Sequence, residues 1–286
     1  MALSTGFITR LDYGAGAATT ATVGKVISGE MRQLSNVDYD LSQGGSADPR
    51  YGMIEAAGNA TFLPTVDTFL AYGIRSGTTS PSMTTLCFEG GNSTQAFQHK
   101  NANIQRLALE CAVGQTLQAT VEWIARTPAQ IAVPSWNSVD AGETLQWYRG
   151  TTMTVDGGTS LALRDFRVEV TNGLVPETSL DAKSALSMRF PEEIRVGPDT
   201  IRGSFTAGVA PGSGRLAQAW ADVPSVCGAS IIMTNVAAKT LTITLGNLRV
   251  DRWSLAFVTP DQVSYYRCEY TGLPLQADTI AVTFPA

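Results

Sequence analysis

This sequence has little charge and almost no histidine. Of its 286 residues, 16% are Asp, Glu, Lys or Arg, and one is histidine; soluble domains typically carry roughly 25% charged residues. So low a charged fraction suits a surface largely covered by other copies of the chain, and it equally suits an ordinary β-rich protein whose turns use Gly, Thr and Ser. The net charge of −5 and the absence of a basic cluster argue against a duplex-DNA-binding protein.

Signals for membranes, export and metal binding are also missing. No apolar run approaches the ~20 residues of a membrane span, and the first residues contain no apolar stretch of signal-peptide length, so we expect neither a membrane partner nor export by that route. The four cysteines, Cys87, Cys111, Cys227 and Cys268, form no CxxC pair, which excludes tight zinc spacing. We predict that they are reduced, half-buried strand residues, although three disulfide pairings are conceivable.

Motifs for catalysis are absent or weak. The one histidine, His99, and the lack of a GxSxG elbow argue against a Ser-His-Asp hydrolase. Asp38 and Asp40 share a strand face and Glu192 adjoins Glu193, yet these carboxylates are more simply solvated or interface charges than a glycosidase pair. The glycine-rich residues 208–214 lack the Lys-Ser/Thr of a phosphate loop. The sequence therefore predicts a protein that is not an enzyme and holds no cofactor or metal.

What the sequence does contain is strand periodicity. Short alternating runs separated by Gly, Asn, Asp and Pro predict a mainly β fold of antiparallel sheets. The predicted strands are Leu34–Leu41, Ile104–Cys111, Thr116–Ile124, Phe166–Val170, Thr240–Thr244, Trp253–Phe257, Val263–Tyr270 and Thr279–Phe284. Two short helices are predicted, at residues 64–73, with Thr65 as the N-cap, and at residues 213–220.

The chain also contains an internal repeat. Residues 94–109 align with residues 240–255 at an offset of 146 positions, and Arg106 aligned with Arg252 is one of the identities. At an offset of 147 positions, Glu122 aligns with Glu269. Strand, helix, cysteine-containing strand and hairpin recur in that order, which indicates duplication. We predict two tandem β-sandwich or barrel domains, residues 1–145 and 146–286, each with one short helix and a long loop.

Each half has one long segment predicted to be irregular, residues 42–50 and residues 172–193. Loops of the second length are functional or disordered, and apolar content argues against disorder. We predict an arm that docks on a neighbouring copy; an arm folded over its own domain is the alternative. The apolar residues of this predicted inter-subunit loop are Leu174, Val175, Leu180, Leu186, Met188 and Phe190.

Two stretches of the second half resemble the tail tube proteins of long-tailed, siphovirus-like phages. One is residues 145–158 followed by Phe166–Leu174, a strand, a glycine turn and a strand ending in Asn-Gly-Leu. The other is the hairpin sequence Leu245–Leu255. The resemblance covers most of the chain and is best over residues 145–286.

The resemblance implies tail-tube-type domains and a structural role in the virion tail, with assembly in the host cytoplasm. Family members with one domain form stacked hexameric rings, so three copies of a duplicated chain would make a homotrimeric, pseudo-hexameric ring around a conduit for DNA ejection. The implied partners are further copies of the chain, the tape-measure protein, and the terminator and tip proteins. Double-stranded DNA would pass through without specific binding.

A conduit that DNA slides through favours carboxylates and neutral polar groups over free cations, because Lys and Arg would bind the phosphates. We therefore expect some of the acidic strand residues to face the lumen. The candidates are Asp38, Asp40, Glu110, Glu122 and Glu269. Two alternatives remain open: a tube protein of a contractile injection system, and a carbohydrate-binding β-sandwich module of a tail tip or fibre.

Overall fold

The structure is a computed structural model that describes residues 4–40, 48–65, 68–73, 83–138, 152–155, 160–177, 191–208, 226–234, 240–256, 265–272 and 280–283. Almost all of these residues are in strands, which confirms the predicted mainly β fold. The strands are β1 Ser4–Phe7, β2 Arg10–Ala15, β3 Ala21–Thr22, β4 Gly24–Asp40, β5 Asp48–Pro64, β6 Leu86–Gly91, β7 Ala96–Ala112, β8 Gln118–Ile131, β9 Thr152–Val155, β10 Ser160–Glu177, β11 Glu193–Gly208, β12 Val226–Thr234, β13 Thr240–Ala256, β14 Tyr265–Gly272 and β15 Ile280–Thr283, and the helix α1 is Thr68–Tyr72.

The long strands form one continuous antiparallel sheet in the order β4-β5-β8-β7-β10-β11-β14-β13. The short strand β1 pairs with the outer edge of β4. Strand β6 pairs with the first half of β7 and then with β2, while β12 pairs with the first half of β13 and then with β9. β6 lies over one face of the long sheet, because Phe88 in β6 stacks on Trp123 in β8 with ring centroids 4.4 Å apart.

The pairing order repeats along the chain. In the first unit, residues 4–131, the path is β4-β5-β8-β7-β6-β2, and in the second unit, residues 152–283, it is β10-β11-β14-β13-β12-β9. A β-bulge lies at the same place in both, between Ile104 and Arg106 and between Val250 and Arg252. The domain boundary at residues 145 and 146 lies outside the described residues and stays a prediction.

The two units are joined edge to edge by β7 and β10, whose register runs from Arg106 opposite Thr171 to Ala112 opposite Asp165. The buried side chain of Asn172 strengthens this joint, because its amide donates to Ile104 O (2.9 Å) and to Gly73 O (3.3 Å) in the first unit. Buried side chains of both units form one contiguous apolar cluster. The main sheet therefore crosses the repeat without a break.

The helix α1 is positioned by aromatic packing. Phe69 lies 4.8 Å from Tyr13, 5.5 Å from Phe62 and 6.0 Å from Phe88, centroid to centroid. The predicted N-cap is wrong: the helix begins at Thr68, and the buried hydroxyl of Thr65 has no hydrogen-bond partner. The reason is that β5 pairs as far as Pro64, so Thr65 directly follows a strand. The second predicted helix, residues 213–220, lies outside the described residues.

The two segments predicted to be irregular are partly strands, and the prediction is wrong at their ends. β10 continues to Glu177 and β11 begins at Glu193, with Leu174 opposite Val196. In the first unit, Asp48–Arg50 belong to β5. A bulge between Asn172 and Leu174 shifts the register, which breaks the alternation that sequence reading relies on. Residues 41–47 and 178–190 lie outside the described residues.

Candidate functional site

One face of the long sheet is polar. Successive side chains of a strand point to opposite faces of the sheet. In the long strands, alternate side chains enter the core, and the side chains between them form a surface that we call the polar face. Its charged and amide residues across the eight strands include Glu30, Arg32, Asn59, Arg106, Glu110, Glu122, Arg167, Glu169, Arg202, Arg249, Asp251, Arg252, Arg267 and Glu269.

Arg106 lies at the centre of the polar face and crosses the joint between the units. Its guanidinium contacts Glu122 on β8 at 2.6 Å and Glu169 on β10 at 2.8 Å. Arg167 adds a second contact to Glu169 at 2.9 Å and approaches Glu110 at 3.7 Å. These charge-assisted hydrogen bonds raise the pKa of Arg106 and lower the pKa of Glu169, in both cases chiefly through the bond between the two. The joint thus carries a connected ion-pair network spanning three strands.

In the second unit the polar face contains a groove of about 560 Å³ lined by both signs of charge, including Arg202, Arg267 and Glu269. On its wall Arg249 contacts Asp251 at 2.8 Å, and Asp251 also accepts a hydrogen bond from Thr271. In the first unit Asn59 donates to Glu30 at 3.0 Å, and Arg32 lies 4.0 Å from the same carboxylate. Most cations of the polar face therefore lie beside carboxylates.

Three of the five predicted lumen residues lie together on the polar face: Glu110, Glu122 and Glu269. Asp38 and Asp40 are in β4, opposite Arg50 and Asp48, and their side chains lie outside the described residues. Whether these residues face a lumen stays a prediction. The acidic surface expected from the sequence is in fact a mixed surface, since Arg106 and Arg167 occupy the same face.

Of the six residues predicted to form an inter-subunit loop, two are described, and both lie in β10. Leu174 is 8% exposed and packs with Ile124 and Ile194 of its own chain. Val175 is 56% exposed. At the base of this hairpin Arg126 of the first unit donates to Pro191 O at 3.1 Å. Leu180, Leu186, Met188 and Phe190 lie outside the described residues.

Sequence reasoning missed two glycines behind the polar face, Gly58 and Gly203. A Cβ at Gly58 would lie 2.2 Å from the Trp123 ring, and one at Gly203 would lie 2.2 Å from the Tyr270 hydroxyl. Trp123 faces Gly58 across β5 and β8, and Tyr270 faces Gly203 across β11 and β14. The two pairs occupy equivalent places in the repeat. The available signal was that Gly58 and Gly203 lie 145 positions apart in the sequence. This spacing differs by one from the 146 positions that separate residues 94–109 from their counterparts.

His99 has a packing role in this geometry. It is 2% exposed, and its Nδ1 accepts a hydrogen bond of 3.1 Å from Trp123 Nε1. Burial lowers its pKa to about 4. Cys87 and Cys111 are free thiols, and burial raises the pKa of each to about 11; they and Cys268 are more buried than the predicted half-burial. Such thiols are poor nucleophiles.

Within the described ranges, no group of three or more His, Cys, Asp or Glu residues is placed to hold a metal ion. Within those same ranges, no helix is both long and apolar enough to cross a bilayer.

No protein-family model matches the chain, and no curated protein matches it significantly.

Proposed function

We propose that this chain is a structural subunit of a hollow tube, the tail tube of a long-tailed phage, in which three copies close into a ring and rings stack. The observation that carries the proposal is the joint between β7 and β10. Two units with the same strand order are joined there edge to edge by antiparallel pairing. Because this pairing joins two equivalent units within one chain, the corresponding strand edges of two different chains can pair in the same way.

The outer edges of the sheet support ring closure. At one end, β12 pairs with β13 only as far as Arg249, and no described strand pairs with that edge of residues 250–256. At the other end lies β4. Unpaired strand edges invite pairing with another chain, and closed rings remove them. In the ring, β13 of each copy meets β4 of the next.

The polar face is the surface that suits a bore. The other face of the sheet is covered by β2, β6 and α1 and holds the buried cluster around Phe62, Phe88 and Trp123. A closed sheet of this kind therefore directs its charged side chains inward, toward the channel, and its packed layer outward.

The pairing of charges also suits passage of DNA. Free arginines would bind phosphates by releasing counterions, but Arg106 and Arg167 already donate to Glu169, and Arg249 donates to Asp251. Guanidinium groups that are paired with carboxylates attract the phosphates of a passing DNA duplex less strongly than unpaired guanidinium groups do. The tube function requires such a surface because the duplex must move through it without being held.

Self-assembly tests the proposal. The purified chain should convert from a small species to large particles as its concentration rises in sedimentation velocity runs, and negative-stain electron microscopy should show hollow, evenly striated rods. A chain that stays small at every concentration would contradict the proposal. Retention of that small species on immobilised sugars would instead support the carbohydrate-binding alternative.

A further inference from the structure

We propose that β1 occupies the assembly edge of β4 in the free subunit, and that β13 of a second copy displaces it when the ring forms. The docking surface is the edge of β4 at residues 30–33, and its partner is residues 253–256 of the next copy. This inference rests on the proposed function and adds to it a defined register and a strand that must leave first.

The register follows from matching β4 with β10. Met31 lies opposite Gly58 and Val168 lies opposite Gly203, and these glycines occupy equivalent places in the two units. Met31 therefore corresponds to Val168. By the same count Glu30 corresponds to Arg167 and Arg32 corresponds to Glu169. Residues 30–33 of β4 are thus the counterpart of Arg167–Val170, which lie within the part of β10 that pairs with β7.

The partner strand is matched in the same way. Arg106 lies opposite Glu122 in the first unit, and Arg252 lies opposite Glu269 in the second. Ala108 of β7 therefore corresponds to Ser254 of β13. Because Ala108 lies opposite Glu169 in the internal joint, Ser254 of one copy is placed opposite Arg32 of the next.

In the free subunit, β1 already pairs with the edge of β4 at residues 30–33. β1 runs antiparallel to β4, with Ser4 opposite Gln33 and Phe7 opposite Glu30. Leu107–Glu110 of β7 lie against Val170–Arg167 in the same direction. β1 thus covers on β4 the counterparts of four of the seven positions that β7 covers on β10.

β1 is well suited to be displaced. It has four residues, one of them glycine, and glycine weakens a strand interior. It covers the edge against premature pairing, as natural proteins commonly do with exposed edges.

An intrachain disulfide tests the role of β1. Thr5 lies opposite Arg32, and directly opposite residues of an antiparallel pair lie about 4.5–5.5 Å apart at Cα, within the range that a disulfide spans. The double variant Thr5→Cys/Arg32→Cys is oxidised at high dilution and then concentrated. The oxidised chain should form no rods at concentrations where the same chain assembles after reduction. Oxidation of Thr5→Cys alone is the control and should not change assembly.

Failure of the disulfide to form, or rods of equal yield from oxidised and reduced chains, would overturn the role of β1. If the unmodified chain makes no rods, the tube function fails, and the docking surface is then judged from covalent oligomers alone.

An interchain disulfide tests the register. Ser254→Cys/Arg32→Cys should give covalent dimers and trimers on a non-reducing gel after oxidation at assembling concentration. Ser254→Cys/Ser28→Cys is the matched control, because Ser28 lies four positions along the same strand, roughly 13 Å away at 3.3 Å per residue. Rods with no link at Arg32, or a preferred link at Ser28, would overturn the register while leaving the tube function intact. Covalent oligomers without rods would support the docking surface and contradict the tube.

Discussion

Arg106 is the residue through which the two units share charge. It binds one carboxylate of its own unit, Glu122, and one of the other unit, Glu169. Its ion pairs therefore stabilise the joint between the units and not one unit alone. Networks of this kind stabilise more than isolated surface pairs, whose median contribution is about 0–1 kcal/mol. We expect Glu169, which binds both Arg106 and Arg167, to be the most sensitive carboxylate of the polar face.

The variant Glu169→Gln tests this expectation. Removing the charge leaves two guanidinium groups with weaker acceptors, so the free energy of unfolding should fall by about 1 kcal/mol, as measured by urea denaturation. Glu110→Gln is the matched control, because Glu110 is half exposed and its closest guanidinium nitrogen is 3.7 Å away; its effect should be smaller. Equal effects from the two variants would contradict the central place of Glu169.

His99 predicts a pH dependence of stability. Its pKa is about 4 in the folded chain against its usual 6.5, so the unfolded chain binds the proton more tightly. Stability contributed by neutral His99 is fully present above pH 6.5 and is lost as the pH falls from 6.5 to 4. The loss should amount to about 3 kcal/mol. Urea denaturation at a series of pH values measures it.

The control for His99 is His99→Asn, which keeps an acceptor for Trp123 Nε1 but does not titrate. Its free energy of unfolding should depend less steeply on pH in this range than that of the unchanged chain. Identical pH slopes would show that other groups cause the dependence.

A residue of the polar face could be predicted when a local sequence pattern marked it, and not when only contacts distant in sequence did. Alternation and the repeat placed Glu110, Glu122 and Glu269 correctly in strands, and they share one face. The partners Arg167 and Glu169 could not be found, because their contacts with Arg106 and Glu110 cross between strands far apart in sequence. The burial of His99 was not predicted; the available signal was its counterpart in the repeat, Leu245, which is apolar and is itself buried.

At the scale of elements, strands with apolar alternation were predictable and small-residue strands were not. β4 was predicted only from Leu34 onward, and most of β5, which contains two glycines and three alanines, was missed. The structure gives the physical reason: a Cβ at Gly29 would meet Ile8, and one at Gly58 would meet Trp123. Neighbouring side chains fill the space, so the strand residues must be small and the alternation signal is lost.

The two joints differ in charge. In the internal joint Arg106 meets Glu169, whereas in the proposed joint between copies Arg252 meets Arg32, the counterpart of Glu169. Like charges in neighbouring cross-strand positions are unfavourable. The joint between copies should therefore be weaker than the internal one, which suits a contact made only at assembly.

A charge exchange, Glu30→Arg/Arg32→Glu, tests this difference. It leaves the net charge unchanged and places on β4 the Arg and Glu pattern of Arg167 and Glu169 on β10. The concentration at which rods appear in sedimentation runs should fall. The single change Glu30→Arg is the control: it removes the carboxylate bonded to Asn59 without supplying one for Arg252, so it should not lower that concentration. An equal or higher threshold for the double variant would contradict the proposed register.

At the scale of the whole molecule, the repeat, the continuous sheet and the polar face fit a ring component. The sequence predicted the duplication from weak identities at a near-constant shift. The pairing of β7 with β10 joins particular strand edges, which no local sequence pattern specifies. The free edge of β13 and the covered edge of β4 likewise follow from topology and not from composition.

The most direct measurement is a cryo-electron microscopy reconstruction of the assembled protein. We predict closed rings of three copies, with one continuous sheet around the bore, Arg106, Glu122 and Glu169 facing the channel, and β13 of each copy paired with β4 of the next. A reconstruction in which the polar face points outward, or in which β4 and β13 remain unpaired between copies, would contradict the account.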